Sequence, residues 1–333
     1  MSLQPPADRA RLAREKLARH RGLATWGEKL VPLGAFRAAA AQAGVELAPG
    51  GRAAALLAYK APRRDATPRE GPFTRIAVCG GVYSNHQALA ALLEDAARRQ
   101  AEAVYCLGDL GGFGPNPDKV WPLIAAGGVL CIQGNYEQSL ASGREDCNCG
   151  YTDPRDNLFA RISYGYTFSR CSPELKAWMG TLPPRRRVRV GAREVLLVHG
   201  SPRRVNEFLF RSTSPEPFLE VLLDQARCDG LLCTHTGLHW HRRLPSGRDV
   251  VNVGVIGRPA NDGRTQVWYA LLTASRGGGL TVELVPLSYN HQALAAEMRG
   301  EGLPEEFVET ILTGWWTTCL EILPARERAA SRF

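Results

Sequence analysis

Four polar side chains follow four successive apolar segments of the chain, and together they have the chemistry of a metal site. Asp109 follows AVYCLG, Asn135 follows VLCIQG, His199 follows EVLLV, and His235 follows GLLCT. Singly, each has an ordinary structural explanation as a turn residue or a buried hydrogen-bonding group. The carboxyl ends of strands in an α/β sheet, however, lie along one edge, where such sheets bind ligands. A carboxylate, an amide oxygen and two imidazoles suit a borderline divalent cation, so the series predicts a site for Mn²⁺, Fe²⁺ or Zn²⁺.

A further apolar segment, at residues 76–79, ends in a glycine-rich turn that brings no obvious ligand to this edge. The stretch reads IAVCGGVYSNHQ, and a helical pattern follows it. A strand that stops at such a turn before a helix commonly presents functional groups at a sheet edge. The side chains at this turn are Gly81 and Tyr83. The turn therefore has the strand-turn-helix pattern of a ligand-binding site, but it lacks an obvious catalytic or metal-binding side chain.

The elements that would hold these residues in place have the pattern of a two-sheet α/β domain. From Arg75 onward, short apolar strands alternate with helical segments at 87–99 and 117–126, which predicts parallel β-α-β units. After residue 187 the strands resume, and the later ones follow one another without long helices. The second half is therefore expected to be more antiparallel, as when a second sheet closes a sandwich.

The two ends of the chain and one internal segment lie outside this pattern. Residues 1–70 are predicted to form a helical N-terminal extension and linker, with helices near 7–20 and 34–44. Residues 141–171 are polar and aromatic without a clear period, which predicts a long inserted loop that serves as a lid. Residues 291–333 are predicted to form a helical C-terminal extension. There, LPEEFVETILTGWWTTCLEIL reads as one amphipathic helix, whose apolar stripe would pack on the domain or form an oligomer interface.

The composition favours a cytoplasmic protein with anionic small-molecule partners. With 44% hydrophobic residues, the chain has no run near the roughly 20 apolar residues that a membrane span needs, and its N-terminus lacks the apolar core of a secretory signal. The net charge of +8 favours phosphorylated or other anionic ligands. Nucleic acid is the less favoured partner, because the arginine clusters are short and lack interleaved aromatic residues.

The cysteines do not have the pattern of a disulfide framework. There are nine of them at irregular spacing, and several lie inside apolar runs, as is usual for core residues in a reducing compartment. Cys147 and Cys149 form one local pair. They are open to three interpretations, namely two loop thiols, a redox pair or metal ligands.

Several blocks resemble the calcineurin-like metallophosphoesterases, most closely the bacterial phosphodiesterase-like branch. They are CLGDLGGFGPNPDKV, QGNYEQSL, SPELKAWMGTLPP, LVHGSP, CTHTGLHWH and NVGVIGRPANDGR, and the resemblance runs over about residues 75–286. The resemblance implies a four-layer α/β/β/α sandwich over residues 71–290, with a two-metal site at the strand ends. It also implies that Asp109, Asn135, His199 and His235 are metal ligands.

Asp109, Asn135, His199 and His235 would hold one of the two ions. The chain departs from the family pattern at the position of the other ion. The D-x-H block of the family falls on Gly81 and Tyr83, the histidine of G-N-H is Tyr136, and the last histidine of G-H-x-H is Gly237. The resemblance implies that the positions of Gly81, Tyr83 and Gly237, with a bridging Asp109, would hold the other ion, and that the position of Tyr136 would neutralise or protonate the reacting group. We therefore expect one divalent transition metal (Mn, Fe or Zn), and we regard a second ion as doubtful.

Other residues are candidates for completing the site. If residues 235–241 are extended, His235, His239 and His241 share one face, and either of the last two would approach the empty position. Cys147 and Cys149 would fold over the site if their loop covers it.

Further side chains are candidates for contacts with the substrate. Tyr136 and Tyr83 are candidate catalytic groups that would donate hydrogen bonds, because a phenol stays neutral at pH 7. His239 is a third candidate catalytic residue. Arg203 and Arg204, shortly after His199, would hold an anion with their guanidinium groups.

These features predict an atypical metallophosphoesterase-like enzyme. It would act on a phosphorylated or otherwise anionic small molecule, by hydrolysis or by another metal-assisted reaction. The alternative is a catalytically silent homologue that binds a metal or ligand and serves as a partner or regulatory subunit.

Overall fold

The computed structural model describes Thr67 and residues 69–330, together with two short strands nearer the N-terminus. The chain divides into two units, Met1–Ala66 and Thr67–Phe333. In the first unit, β1 and β2 pair antiparallel, and they comprise Leu23–Trp26 and Lys29–Pro32. The predicted helices at 7–20 and 34–44 lie outside the described residues. The N-terminal extension is not wholly helical, because LATW and KLVP contain aromatic and β-branched residues that favour strands.

The second unit is built on two β-sheets. The first sheet has six strands in the order β10-β11-β9-β8-β7-β3, and the second has five in the order β13-β12-β4-β5-β6. Strands β4, β5 and β6 are mutually parallel, whereas β12 pairs antiparallel with both β4 and β13. The strands are β3 Arg69–Phe73, β4 Arg75–Cys79, β5 Ala103–Cys106, β6 Leu130–Cys131, β7 Arg186–Val190, β8 Arg193–Leu197, β9 Gly230–Cys233, β10 His239–Arg243, β11 Asp249–Val253, β12 Val267–Ala274 and β13 Leu280–Leu287.

Helices connect the strands and cover the outer faces of the sheets. A single 3₁₀ turn at Pro117–Lys119 precedes α2. The helices of this unit are α1 His86–Arg98, α2 Val120–Ala126, α3 Asn135–Ala141, α4 Pro154–Arg170, α5 Pro173–Thr181, α6 Glu216–Ala226, α7 His291–Gly300, α8 Glu305–Thr313 and α9 Ala325–Ala329. No helix in the described part of the chain is long and apolar enough to cross a membrane.

Three hydrophobic cores separate four layers, as the predicted α/β/β/α sandwich requires. Strand β4 shows the arrangement, because its side chains alternate between two cores. Ile76 and Val78 lie in the core shared by the two sheets, whereas Ala77 and Cys79 face the helices, with Leu89 of α1. A third core joins the outer face of β8 and β9 to α6. The mixed sheets and the flanking helices confirm the predicted fold class.

The segment 141–171 is only partly the loop that the sequence predicted. Its second half is α4, which begins after the N-cap residue Asp153, whose carboxylate accepts from the backbone N–H groups of Arg155 and Asp156. The helix was missed because its buried face mixes polar and apolar side chains at helical spacing. That face consists of Asp156, Phe159, Ala160, Ser163, Tyr164 and Thr167.

Two other boundaries differ from the prediction. Strand β3 begins at Arg69, just before the predicted end of the N-terminal extension and linker, and its Pro72 is tolerated because β3 is an edge strand. The predicted C-terminal amphipathic helix ends at Thr313 instead of continuing through residue 323. Gly314 ends it with a φ of 75°, a left-handed conformation that glycine adopts readily. A side chain at this position would collide with the backbone of Arg264.

Candidate metal centre

Three of the four predicted ligands converge at the strand ends. Asp109, His199 and His235 are buried, and their ligand atoms all lie within 4.8 Å of one another. They follow the ends of β5, β8 and β9, as the sequence predicted. Asp109 has a φ of 56° and His235 a φ of 70°. Residues other than glycine rarely adopt such left-handed conformations, and these are typical of positions where the surrounding structure holds a functional side chain.

The backbone orients the His199 ring. Its Nδ1 lies 2.6 Å from the carbonyl oxygen of Leu107. A carbonyl only accepts hydrogen bonds, so Nδ1 carries the proton and Nε2 is the nitrogen available to ligate. Nε2 lies 3.2 Å from Oδ2 of Asp109 and 3.0 Å from Nδ1 of His235.

The loop between α3 and α4 orients the other two candidate ligands. His235 Nε2 donates to the carbonyl of Cys149 at 3.2 Å, which leaves His235 Nδ1 facing His199. Asn135 Nδ2 donates to the carbonyl of Cys147 at 2.8 Å. The next residue, Tyr136, donates its backbone N–H to Oδ1 of Asp109 at 3.2 Å, so Asn135 lies beside that carboxylate.

The donor set fits a divalent cation. Asn135 Oδ1 is buried and has no hydrogen-bond partner among the described residues. His199 Nε2 and His235 Nδ1 face each other at 3.0 Å, although the second nitrogen of each ring already donates to a carbonyl. Two nitrogen lone pairs this close need a proton or a cation between them. A carboxylate, an orphaned amide oxygen and two imidazoles together are a suitable ligand set for Mn²⁺, Fe²⁺ or Zn²⁺.

The charges of the three converging residues depend on one another. Burial would raise the pKa of Asp109, but the neighbouring His199 and His235 hold it below its usual value. Burial would likewise lower the pKa of His199, but the Asp109 carboxylate raises it above its usual value. Burial, and after it the neighbouring His199, lowers the pKa of His235 to about 3. Asp109 is therefore an anion and His235 a neutral imidazole at pH 7, which are the protonation states that metal ligands need.

Comparison with known proteins agrees with this arrangement of strands. Residues 75–277 match the model of the calcineurin-like phosphoesterase superfamily domain, which is more than half of the chain. The chain belongs to the calcineurin-like phosphoesterase superfamily. The family assignment from the sequence blocks is thus confirmed.

Individual relatives share the fold at low sequence identity. An uncharacterized protein of Methanocaldococcus jannaschii is 23% identical over 250 residues, which cover 72% of this chain and 98% of that protein. A hypothetical protein from Pyrococcus horikoshii has a crystal structure with a TM-score of 0.62 and 24% identity, over 74% of this chain and 100% of its own. A metallophosphoesterase from Sphaerobacter thermophilus gives a TM-score of 0.55 and 24% identity, over 72% and 99%.

Sequence reasoning missed Glu137 as a residue that positions this candidate metal centre. Its buried carboxylate accepts three backbone N–H groups, from Asp109 at 2.8 Å, Leu110 at 2.7 Å and Gly134 at 2.7 Å. It thereby joins the turn that carries Asp109 to the start of α3, where Asn135 lies. Burial, followed by the negative charge of Asp109, raises the pKa of Glu137 to about 7. The available signal was the glutamate at the third position of a helix, which commonly caps the helix start.

The second metal position of the superfamily pattern is filled by other side chains. The Tyr83 ring lies where a side chain at Gly81 would project, so an aspartate there would collide with it. Gly237 has a φ of 78°, and a Cβ atom on it would lie 2.8 Å from the Trp316 ring and 3.2 Å from Arg258 Nη2. Both substitutions that remove family ligands therefore coincide with bulky neighbours that occupy the space.

A cavity of about 50 Å³ adjoins both the cluster of candidate ligands and the second metal position of the superfamily pattern. Asp109 and His235 line it on one side, and Tyr83, Tyr136 and Arg258 line it as well. Burial is the largest cause that raises the pKa of each of these two phenols, so both are neutral hydrogen-bonding groups. The Tyr136 hydroxyl already makes a hydrogen bond of 2.9 Å with Ser163. Tyr83 and Tyr136 thus lie where the prediction placed them, and their catalytic role remains a prediction.

His239 and His241 do not join this cluster. The strand β10 begins only at His239, and His235 lies in a left-handed turn, so the three histidines do not share one strand face. The His239 ring stacks on Trp268 with 3.9 Å between centroids, and it lines a separate groove. His241 Nε2 lies 2.8 Å from Oδ1 of Asp249. The structure therefore does not bring His239 into the cluster of Asp109, His199 and His235.

Arg203 and Arg204 do not reach the cavity either. The Arg203 guanidinium pairs with the Glu207 carboxylate and lies over the Phe218 ring. Arg204 adds its charge to the same carboxylate, and both arginines help to hold the pKa of Glu207 below its usual value despite its partial burial. The predicted anion-binding role is thus not supported, because a nearby carboxylate already engages these side chains.

Cys147 and Cys149 form a disulfide, so neither is a free thiol in this structure. Their loop does fold over the site, as the sequence interpretation allowed, but it contributes the two backbone carbonyls that orient His235 and Asn135. The other seven cysteines of the described chain are free and buried, as predicted for core residues.

Proposed function

We propose that this chain is a metal-dependent phosphoesterase that uses a single divalent transition-metal ion. Asp109, Asn135, His199 and His235 would hold this ion. The observation that carries the proposal is the ligand geometry, above all the orphaned Oδ1 of buried Asn135 and the facing nitrogens of the two histidines. Membership of the calcineurin-like phosphoesterase superfamily supports phosphorylated molecules as substrates.

The bound ion would polarise a phosphoryl oxygen and acidify a water molecule. The residues of the chain have the task of fixing that geometry. The Leu107 carbonyl holds His199 in one tautomer, and the Cys149 carbonyl does the same for His235. Glu137 ties the Asp109 turn to the helix that carries Asn135. These contacts restrict the ligands to one arrangement before substrate arrives, which lowers the reorganisation needed during the reaction.

The remaining cavity residues provide hydrogen bonds and not bases. Both Tyr83 and Tyr136 retain their protons at neutral pH, since burial raises their pKa values. They can donate to an oxyanion but cannot accept a proton as phenolates. Without a second ion, the enzyme lacks the pair of metals that clamps the attacking and leaving oxygens. We therefore propose slow hydrolysis of generic phosphate esters compared with two-metal enzymes.

A test combines metal analysis with an activity screen. Protein purified without chelators is assayed for bound metal, then for hydrolysis of p-nitrophenyl phosphate and bis(p-nitrophenyl) phosphate with added Mn²⁺ or Zn²⁺. The variant Asp109→Asn removes the ligand charge at almost constant volume. Asp224→Asn is the matched control, because this carboxylate is 67% exposed on α6 and pairs with Arg248.

The proposal expects metal-dependent hydrolysis that a chelator and Asp109→Asn abolish while Asp224→Asn leaves it unchanged. Hydrolysis that survives both treatments would contradict the proposed site. Tightly bound metal without hydrolysis of either ester would favour the silent, ligand-binding homologue instead.

A further inference from the structure

Arg258 is a buried cation on the wall of the cavity, and no carboxylate of the described residues pairs with it. Its side chain is buried, with 6% of the residue exposed, and it forms no ion pair with any described residue. Its Nε atom has no hydrogen-bond partner within the described part of the chain. The guanidinium lies 3.6 Å from the centre of the Trp316 ring and 5.7 Å from that of Phe113.

An arrangement of this kind needs an anion to complete it. Arginine keeps its charge at all physiological pH values, and an unpaired buried charge is strongly destabilising. Stacking on aromatic rings offsets part of that cost. The stacking also fixes the plane of the guanidinium, which leaves its hydrogen-bonding edge for an acceptor with two oxygens in that plane.

The surroundings select a small anion that lies next to the metal ligands. Asp109 and His235 line the same cavity as Arg258. The Asp109 carboxylate is already engaged by His199 and by the backbone N–H of Tyr136. Tyr83, also on this wall, is a neutral phenol that can donate a further hydrogen bond. A cavity of about 50 Å³ is far below the roughly 300–1,000 Å³ of sites that enclose drug-sized ligands, so only a small group can enter it.

We propose that Arg258 and Tyr83 form the phosphoryl-binding subsite of this centre and that the preferred substrates are phosphomonoesters. This inference rests on the proposed function and names the substrate class of the same site. Arg258 binds two oxygens of a terminal phosphoryl group, Tyr83 donates to one of them, and the rest of the substrate stays outside the cavity. A phosphodiester fits less well, because its second ester substituent must share the same small space.

The subsite is tested with inorganic phosphate as the probe. Binding is measured by titration calorimetry on manganese-loaded protein whose metal content is determined in parallel, and again after chelation. The variants are Arg258→Gln, which removes the charge, and Arg258→Lys, which retains a cation but loses the planar fork. Arg264→Gln is the matched control, because Arg264 is 65% exposed on the same loop and its nearest carboxylate is 3.7 Å away.

Arg258→Gln should weaken phosphate binding by about 10- to 100-fold at unchanged metal content, as expected when hydrogen bonds to a charged group are lost. Arg258→Lys should have an intermediate affinity, and Arg264→Gln should bind as the unmodified protein does. Phosphate affinity in both Arg258 variants equal to that of the unmodified protein would overturn the subsite. If Arg258→Gln fails to fold, Arg258→Lys decides the same question alone.

The same measurements separate this proposal from the proposed function. If no metal binds but phosphate binding still depends on Arg258, the subsite is supported and the proposed metal-dependent activity is contradicted. If metal binds and hydrolysis occurs, but the Arg258 variants bind phosphate as the unmodified protein does, only the subsite is contradicted. For the substrate class, p-nitrophenyl phosphate should be hydrolysed with at least a tenfold higher kcat/KM than bis(p-nitrophenyl) phosphate, and the reverse preference overturns it.

Discussion

The candidate site has two halves that the same fold supports in different ways. The ligand half contains Asp109, Asn135, His199 and His235 at strand ends, with a donor set that fits a cation. The aromatic half contains Tyr83, Arg258 and Trp316, where the superfamily pattern has further metal ligands.

In both halves, turns follow the ends of the strands. Only the ligand half has side chains that can bind a metal ion. The aromatic half is filled instead of vacant, since ring atoms occupy the space beside Gly81 and Gly237. An unfilled cavity would cost stability. The difference teaches that, where the superfamily pattern has further ligands, this chain has packed rings and a guanidinium beside them.

The largest effect is expected from breaking the ligand half with Asp109→Ala. The protein should lose its bound metal, and hydrolysis should fall by about 10²–10³-fold, which is what one electrostatic element of an active site is typically worth in rate. Metal content and phosphate ester hydrolysis measure the two effects. Retention of stoichiometric metal in this variant would show that the ion is held elsewhere.

The next effect comes from converting the aromatic half back into a ligand half. The changes Gly81→Asp, Tyr83→His, Tyr136→His and Gly237→His restore the family pattern. The structure adds Trp316→Ala as a fifth change, because a Cβ atom at residue 237 would lie 2.8 Å from that ring. The fivefold variant should bind a second ion and gain about 10²–10³-fold in Mn²⁺-dependent phosphodiesterase activity.

The fourfold variant with Trp316 intact is the control for this conversion. It should remain at one ion per chain, because the indole ring blocks the new histidine. Two ions in the fourfold variant would mean that the aromatic half is not closed in the way the structure indicates. Thermal unfolding must accompany both measurements, because replacing a buried tryptophan by alanine typically costs about 3–5 kcal/mol.

A smaller effect is expected from Glu137→Gln, which changes the support of the ligand half without removing a ligand. The amide NH₂ group of glutamine would face backbone N–H donors that the carboxylate now accepts. Metal affinity should fall by about 10- to 100-fold, as is typical when a group that orients metal ligands is replaced. An unchanged affinity in a competition titration would limit Glu137 to a role in folding.

A residue of the site could be predicted from the sequence only where neighbouring residues in the chain indicate its position. Asp109, His199 and His235 were predictable because each directly follows an apolar strand, and strand ends converge by geometry. Arg258 and Trp316 were not, because their contact joins a loop to a distant C-terminal segment, and no sequence period reports such a contact. The fold class was predictable from the alternation of strands and helices from Arg75 onward.

Local rules that compete with one another explain the missed elements. Helix α4 contains Asp156, Ser163 and Thr167 on its buried face, so hydrophobic periodicity did not reveal it. The pair Asp153-Pro154 was the available signal, since an N-cap aspartate before a proline commonly starts a helix. His239 was misplaced because a left-handed turn at His235 interrupts the extended register on which the prediction relied.

The smallest expected effect is on the pH dependence of stability, through a residue of helix α4. Asp156, at the start of α4, accepts a hydrogen bond from the backbone N–H of Ile322 at 3.2 Å and so ties the C-terminal segment to that helix. Burial, and after it the neighbouring Glu321, raises the pKa of Asp156 to about 7. In an unfolded chain an aspartate has a pKa near 3.9.

The sign of the pH dependence follows from that difference. The folded state binds this proton more tightly, so its stabilising contribution is complete below about pH 4 and is lost as the pH rises through about 7. The melting temperature should therefore fall between pH 5 and pH 8, and Asp156→Asn should reduce this fall by a few degrees. The same fall in both proteins would assign the pH dependence to other groups.

The most direct test of the difference between the two halves is the number of ions per chain. Elemental analysis of Mn²⁺-saturated protein after removal of loosely bound metal should give one ion per chain. An anomalous difference map should place that ion among Asp109, Asn135, His199 and His235. Two tightly held ions per chain, with the second beside Tyr83 and Arg258, would contradict the account.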